Sequence, residues 1–260
     1  MPRLSGGVFP EGLMMTTETP FLGGLRICQK RKGYRFSIDA VVLAHYVSLK
    51  AAGVAVDLGT GCGVIPLMLA SRFPLAQLYG IEIQDDLAEL ALKNVRLNHM
   101  EGRITILRAD MKDLNSYLGP GVADVVLSNP PYRKLHSGRL NPDPEKAVAK
   151  HEVKASISDV LAVAEKLLKT SGRVFVIYPA DRATDLLTQM RASKVEPKRL
   201  RFVHSKKKAA AELVLAEGLK LGKPGLKVAA PLVVHNQDGS YTEEVSAMLG
   251  GAPVIPRGRS

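Results

Sequence analysis

The sequence predicts an α/β fold, a mainly parallel seven-stranded mixed sheet with helices on both faces and an antiparallel last strand. Three observations carry this. Short apolar runs alternate with segments of helical period along residues 54–193. A glycine-dense turn, Asp57-Leu58-Gly59-Thr60-Gly61-Cys62-Gly63, joins the first run to the first of those helical segments. The two last runs, 198–205 and 210–219, follow each other too closely for a helical crossover, so they pair antiparallel.

Each element has a local reason. Residues 1–20 are rich in Gly, Pro and Thr without a period and read as a flexible leader. Residues 21–248 read as one domain with its core at about 33–220, and 249–260 as a flexible tail. VAVDLG (54–59) is a short buried strand. VIPLMLASRF (64–73) is a helix, and Pro66 falls in its first turn, where the missing N–H has no partner to lose. QLYGIEI (77–83) is the second strand. In DDLAELALKNVRLNH (85–99) the apolar residues Leu87, Leu90, Ala91, Val95 and Leu97 form one helical face. ITILRAD (104–110) and ADVVLSN (123–129) are strands three and four. ISDVLAVAEKLLKT (157–170) is a helix with Ser158 or Asp159 as its cap and Gly172 beyond its end. RVFVIYP (173–179) is a strand and RATDLLTQMRAS (182–193) a helix. KRLRFVHS (198–205) and AAELVLAEGL (210–219) complete the sheet. Residues 226–247 form a small C-terminal hairpin appendix with Asp238-Gly239 as its turn.

Composition bounds the function. A chain of 260 residues suits one large domain. At 46% hydrophobic and 23% charged residues it is not a disordered chain. No apolar run approaches the ~20 residues of a membrane helix, and the start lacks a signal-type stretch. Cys28 and Cys62 have no metal-ligand spacing. The expectation is a cytoplasmic monomer that binds neither membrane nor metal. The formal net charge of +11 favours a polyanionic partner.

The glycine turn lets the backbone bend sharply and a ligand approach without a Cβ in the way. The helix after it offers free N–H groups and the positive end of its dipole. Glu82 ends the second strand 19 residues after Gly63, where a carboxylate can accept both hydroxyl protons of a ribose. The dinucleotide fingerprint G-x-G-x-x-G is not met: the third glycine comes one residue sooner, and Val64 stands where that pattern wants glycine. The Gly-Lys-Ser/Thr ending of a P-loop is absent. The turn with Asp57, the spaced Glu82 and the third-strand acid Asp110 resemble the class I S-adenosylmethionine-dependent methyltransferases, whose first motif is matched by DLGTGCG, second by IEIQ and third by RADM. The resemblance implies that Gly59, Thr60, Gly61 and Gly63 face the methionine part of S-adenosylmethionine. It implies that Glu82, followed by Ile83, holds the ribose, that Asp110 accepts from the adenine amino group, and that Met111 is a wall.

The fourth strand ends in Ser128-Asn129-Pro130-Pro131-Tyr132. Two prolines fix φ and make a stiff corner. The Asn129 amide oxygen and the Pro130 carbonyl are two acceptors held side by side, suited to a planar amino group. Tyr132 offers a face for a planar ring. An exocyclic or amide nitrogen is a poor nucleophile because its lone pair is delocalised. Accepting both of its hydrogens favours a pyramidal nitrogen, and transfer then needs mainly alignment and preorganisation. The tetrapeptide at this place resembles the N-methyltransferases of adenine N6, cytosine N4 or a glutamine amide.

GYRFSIDAVVLAHYV (33–47), SNPPYRK (128–134), His151-Glu152, GRVFVIYPADR (172–182) and PKRLRFVHSKKKAAAELVLAEG (197–218) extend the likeness to about residues 16–248. They resemble the bacterial tRNA(Val) adenine-37 N6-methyltransferase family. The resemblance implies a tRNA partner, met at its anticodon loop, where an unpaired adenine is splayed out at low cost. Residues 197–227 carry nine Lys/Arg against two Glu. Arg133, Lys134, Lys206, Lys207 and Lys208 are the expected phosphate contacts, beside a further basic group at Lys30, Arg31, Lys32 and Arg35. Two alternatives stand beside this. Glutamine N5-methylation of a release factor uses the same tetrapeptide but usually adds an N-terminal helical domain, for which about 50 residues leave little room. A non-catalytic RNA-binding module with a vestigial pocket does not need Asn129, Tyr132 and Glu82. His45 reads as a packed helix residue, His99 as a helix-end cation, and Cys62 as a small filler. His136, His151 and Glu152 flank the variable stretch after Tyr132. Glu152 is a candidate for shaping the acceptor pocket, and Arg35 and Asp39 for lining the cofactor site.

Overall fold

The computed structural model describes residues 16–21, 24–30, 37–130 and 156–250. Strands β3 (Val54–Leu58), β4 (Gln77–Glu82), β5 (Ile104–Arg108), β6 (Ala123–Ser128) and β7 (Leu168–Pro179) run parallel. Strand β9 (Ala211–Lys220) inserts antiparallel between β7 and β8 (Val195–Lys206). The order β8-β9-β7-β6-β3-β4-β5 is the expected mixed seven-stranded core.

Strand alternation divides the interior between two faces. Val125, Leu127, Phe175 and Ile177 point to one face, under helices α1 (Ile38–Tyr46), α2 (Val64–Arg72) and α3 (Asp85–Leu97). Val126, Val174, Val176 and Tyr178 point to the other, under α4 (Ile157–Leu167) and α5 (Ala183–Ala192). The strands are apolar on both sides because both faces are covered.

The structure corrects four expectations. Among the described residues the sheet has nine strands. Strand β10 (Lys227–Val228) and strand β11 (Leu232–His235) both add parallel to β8. With β9 inserted, β8 would otherwise be a long open edge, and the added strands satisfy its backbone groups. The C-terminal appendix is therefore not a two-stranded hairpin. The Asp238-Gly239 turn does form, with Gly239 at φ +87°, and leads through one antiparallel bridge, His235 to Tyr241, into helix α6 (Glu243–Met248). At the other end, residues 16–20, expected as leader, belong to strand β1 (Thr16–Phe21), paired antiparallel with β2 (Leu25–Lys30). Finally, α4 is capped by Ser156, whose Oγ accepts from Asp159 N–H while the Asp159 carboxylate accepts from Ser156 N–H. It ends at Leu167, and β7 starts at once and bulges before Arg173, with Ser171 at φ +61°. The remaining tail, 251–260, lies outside the described residues.

Helix α3 holds the small β1–β2 sheet by two carboxamides one turn apart. Asn98 Oδ1 accepts from Arg26 N–H and its Nδ2 donates to Arg26 O, at 2.8 and 2.7 Å. Asn94 repeats this on Cys28, at 2.7 and 3.0 Å, and also donates to Cys62 O at 2.9 Å. The two side chains thus act as a substitute strand edge. Asn94 is fully buried, so Asn94→Ala strands Cys28 and Cys62 backbone groups without partners. The variant is expected to lose on the order of 3 kcal/mol, at about 1–3 kcal/mol per orphaned buried group. Urea unfolding checks this; an unmoved midpoint would contradict it.

Candidate active site

The chain runs from β3 outward to β4 and β5, then returns to the other side of β3 with β6. The crevice at the carboxyl ends of β3 and β6 is therefore the topological switch point, the usual ligand position in open α/β sheets. Four neighbouring strand ends present, in order, Asn129, Gly59, Glu82 and Asp110. At ~4.8 Å per strand they span about 14 Å, enough for an elongated ligand.

The glycine turn is built by its neighbours. Gly59, Gly61 and Gly63 lie at φ +79°, +60° and +79°, a region closed to most side chains. Gly59 N–H and Thr60 N–H both donate to Ile81 O at 2.9 Å. A Cβ on Gly63 would sit 3.1 Å from Ala91 Cβ, so this glycine also admits α3. A Cβ on Gly59 meets nothing within 4 Å, so that position faces open space. Thr60 is buried and its side chain covers Gly80, where a Cβ would lie 2.9 Å from Thr60 Cγ2.

Glu82 is 5% exposed. Its Oε2 accepts from Gly61 N–H at 2.8 Å and its Oε1 from Gln84 N–H at 2.9 Å. The acid thus fastens the turn, and each oxygen keeps a further lone pair. Within the turn itself the N–H groups are engaged: those of Gly59, Thr60 and Gly61 bond to the end of β4 and that of Gly63 to Thr60 O.

Asp57 is fully enclosed, and no hydrogen bond of ordinary length reaches either carboxylate oxygen or the Thr60 hydroxyl. Burial pushes its carboxyl up to about 7, against a downward pull from Thr60, and the Glu82 charge adds to the rise. Burial likewise raises the Cys62 thiol to about 11, which makes it inert filler.

Ile83 is 42% exposed beside Glu82. Asp110 caps a short 3-10 turn, its Oδ1 accepting from Lys112 N–H at 2.9 Å, and Met111 is half-buried next to it. At β6, the buried Ser128 Oγ donates to Leu58 O at 2.7 Å, pinning the two strand ends together. Asn129 follows half-buried and Pro130 buried, beside Gly59. Pro131, Tyr132, Arg133, Lys134, His136, His151 and Glu152 lie outside the described residues, as do Arg35 and the basic pair Arg31–Lys32. Lys206, Lys207 and Lys208 are exposed on the β8–β9 turn, on the same sheet edge but away from the crevice floor. Asp39 stands in the first turn of α1. His45 is half-buried; burial chiefly, then Arg72, lowers its pKa. His99 is exposed just past α3 at φ +53°.

Two residues that position the site were not singled out from the sequence, Ser128 and Asn94. Asn94 had a signal: it is a carboxamide on the apolar stripe of α3, between Ala91 and Val95. Among the described residues no group of three or more His, Cys, Asp or Glu could hold a metal, and no helix is long and apolar enough to cross a membrane.

The folded protein holds a proton on Asp57 that the unfolded chain releases near the ordinary carboxylate pKa, so stability falls as pH rises from about 4 to 7. The Tm of the ligand-free protein, measured relative to Asp57→Asn, is expected to fall by at least about 2–4 °C between pH 5 and 8, the shift of ~1 kcal/mol in a chain of this size. A constant difference across that range would contradict the assignment.

Residues 35–195 match a family model described as methyltransferase small domain. A protein of Porphyromonas gingivalis named tRNA1(Val) (adenine(37)-N6)-methyltransferase is 38% identical over 158 residues, covering 58% of this chain and 61% of that protein's length. A protein of the same name from Tolumonas auensis is 27% identical over 223 residues, 85% of this chain and 91% of that protein. Among solved structures, a predicted O-methyltransferase from Agrobacterium tumefaciens superposes with a TM-score of 0.67 at 20% identity, covering 82% of this chain and 97% of that one, a likeness of fold.

Proposed function

Because the chain belongs to the methyltransferase small domain family, we propose that it transfers a methyl group from S-adenosylmethionine to N6 of an adenine in tRNA, the anticodon-loop adenine 37 of tRNA(Val). The observation that carries this reading is the bond from Ser128 Oγ to Leu58 O, which sets Asn129 beside the open glycine turn. The names of the Porphyromonas and Tolumonas relatives support the choice of adenine.

S-adenosylmethionine supplies an electrophilic methyl group on a sulfonium. The residues present suit it on their own terms. Asp57 is a buried acid that no hydrogen bond of ordinary length reaches among the described residues, and a ligand ammonium near it favours release of the proton it holds and pairs with the resulting charge. The remaining lone pairs of Glu82 suit the two ribose hydroxyls. Exposed Ile83 offers an apolar face to the adenine, and Asp110 an acceptor to its amino group.

On the acceptor side, the Asn129 amide oxygen and the Pro130 carbonyl take the two N–H bonds of the target amino group. This would fix the position of the nitrogen and draw its lone pair out of the ring, leaving it free to attack a methyl donor held at the glycine turn. No general base is needed before transfer, because the nitrogen sheds its extra proton afterwards. Tyr132 is the proposed stacking partner of the target base, and Arg133 and Lys134 the proposed phosphate contacts, as the resemblance of the tetrapeptide implies. The setting is cytoplasmic, where tRNA is processed.

Methyl-labelled cofactor offered with unmodified tRNA or with release factor tests the reading. Label in tRNA, mapped to adenine 37, is the expected result; label in the release factor, or in neither, would overturn it. Asn129→Ala is expected to lower kcat about 10²–10³-fold, the usual cost of losing one preorganised polar contact, with cofactor Kd within about twofold of wild type. Loss of cofactor binding instead would show that the role is misassigned.

A further inference from the structure

The β8–β9 arm extends past the crevice on the side of the sheet where β6 ends and Asn129 follows. Strand β9 is antiparallel to both β7 and β8, so β8 runs with β6 and β7, and β11 runs with β8. The carboxyl ends of β6, β7, β8 and β11 therefore lie on one side. Ser128 is level with Val176, Val176 with Ala216, and Ala216 with Leu200. Lys206 stands six residues beyond Leu200, about 20 Å further at ~3.3 Å per residue. His235 is in register with Lys206.

Two features coincide at the end of this arm. His235 and Tyr241 are stacked, with ring centroids 5.0 Å apart and planes at 22°, and Tyr241 remains 43% exposed. Beside them Lys206, Lys207 and Lys208 are exposed, and among the described residues Lys207 and Lys208 have no ion pair. The nearby acids do not pair with Lys207 or Lys208: Asp238 accepts from Ser240 N–H and Oγ and its charge acts on Lys206, Glu244 is held by both terminal nitrogens of Arg201, and Glu212 lines a cavity with Ser205 and His235. A partly exposed aromatic ring next to Lys207 and Lys208, which carry no ion pair among the described residues, suits a chain of unpaired nucleotides, with a base on the ring and phosphates on the ammonium groups.

Resting on the tRNA reading above, we infer that the His235–Tyr241 pair is a stacking platform for an unpaired RNA base outside the catalytic crevice. The lysine turn holds the adjoining phosphates. The platform sets which RNA is held and leaves the methyl-transfer residues untouched.

Binding of unmodified tRNA to the full chain tests this, with salt titrations and cofactor Kd measured alongside. Tyr241→Ala is expected to raise tRNA Kd about tenfold, the loss of one stacked base, with an unchanged salt slope. Tyr241→Phe is expected to bind as wild type does. Replacing Lys207 and Lys208 by Gln is expected to lower the salt slope by about one per residue. Cofactor Kd should be unmoved in all. The Tyr241 carbonyl, which accepts from Asn236 Nδ2, survives these changes; Tyr241→Leu, which keeps apolar bulk, serves should the alanine variant melt early. A stem-loop should outcompete a blunt duplex of equal length for wild type, and lose that advantage in Tyr241→Ala. Wild-type tRNA affinity in Tyr241→Ala and Tyr241→Leu would overturn the platform while leaving tRNA methylation standing. A wild-type protein that binds no tRNA would overturn both.

Discussion

The site depends on one buried carboxylate. Glu82 takes an N–H from Gly61 on one oxygen and from Gln84 on the other, joining the glycine turn to the end of β4. A turn with three left-handed glycines has little stiffness of its own, since glycine restricts its backbone least of all residues. Charge-assisted bonds to a buried anion are about twice as strong as neutral ones, and they fix a turn that the chain alone leaves loose. Each oxygen of the same carboxylate keeps a further lone pair, and under the proposed function one residue both shapes the pocket and meets the ribose.

Around this clamp the fold supplies alignment. Ser128 ties β6 to β3, and Asn94 ties the glycine turn to the β1–β2 sheet. Each bond is buried, so each resists competition from water. Asp57 is the exception, a buried acid that no hydrogen bond of ordinary length reaches among the described residues. Uncompensated groups of this kind concentrate at functional sites, and here the cost is carried by a core apolar on both sheet faces.

Most of this framework was legible in the residues. Strands and helices followed from apolar period, and the glycine turn and Glu82 from their spacing, because these are local or nearly local signals. What was missed depends on partners distant in sequence. Ser128 is an ordinary strand residue until it meets Leu58, 70 positions away. Residues 226–247 read as a hairpin about Asp238-Gly239 because a short run does not announce its partner; the edge of β8, which β10 and β11 join, decided it. Thr16–Phe21 read as leader for the same reason, since its strand exists through pairing with β2. The cap at Ser156 was local, but two later polar residues competed for the role, and only the reciprocal bond with Asp159 separates them.

A crystal structure with S-adenosylhomocysteine tests the central claim most directly. The account predicts the ribose hydroxyls on Glu82 with its bond from Gly61 N–H intact, the adenine between Ile83 and Asp110, and the sulfur directed at the Asn129 amide oxygen. A ribose held elsewhere, or a Glu82 released from the turn, would contradict it.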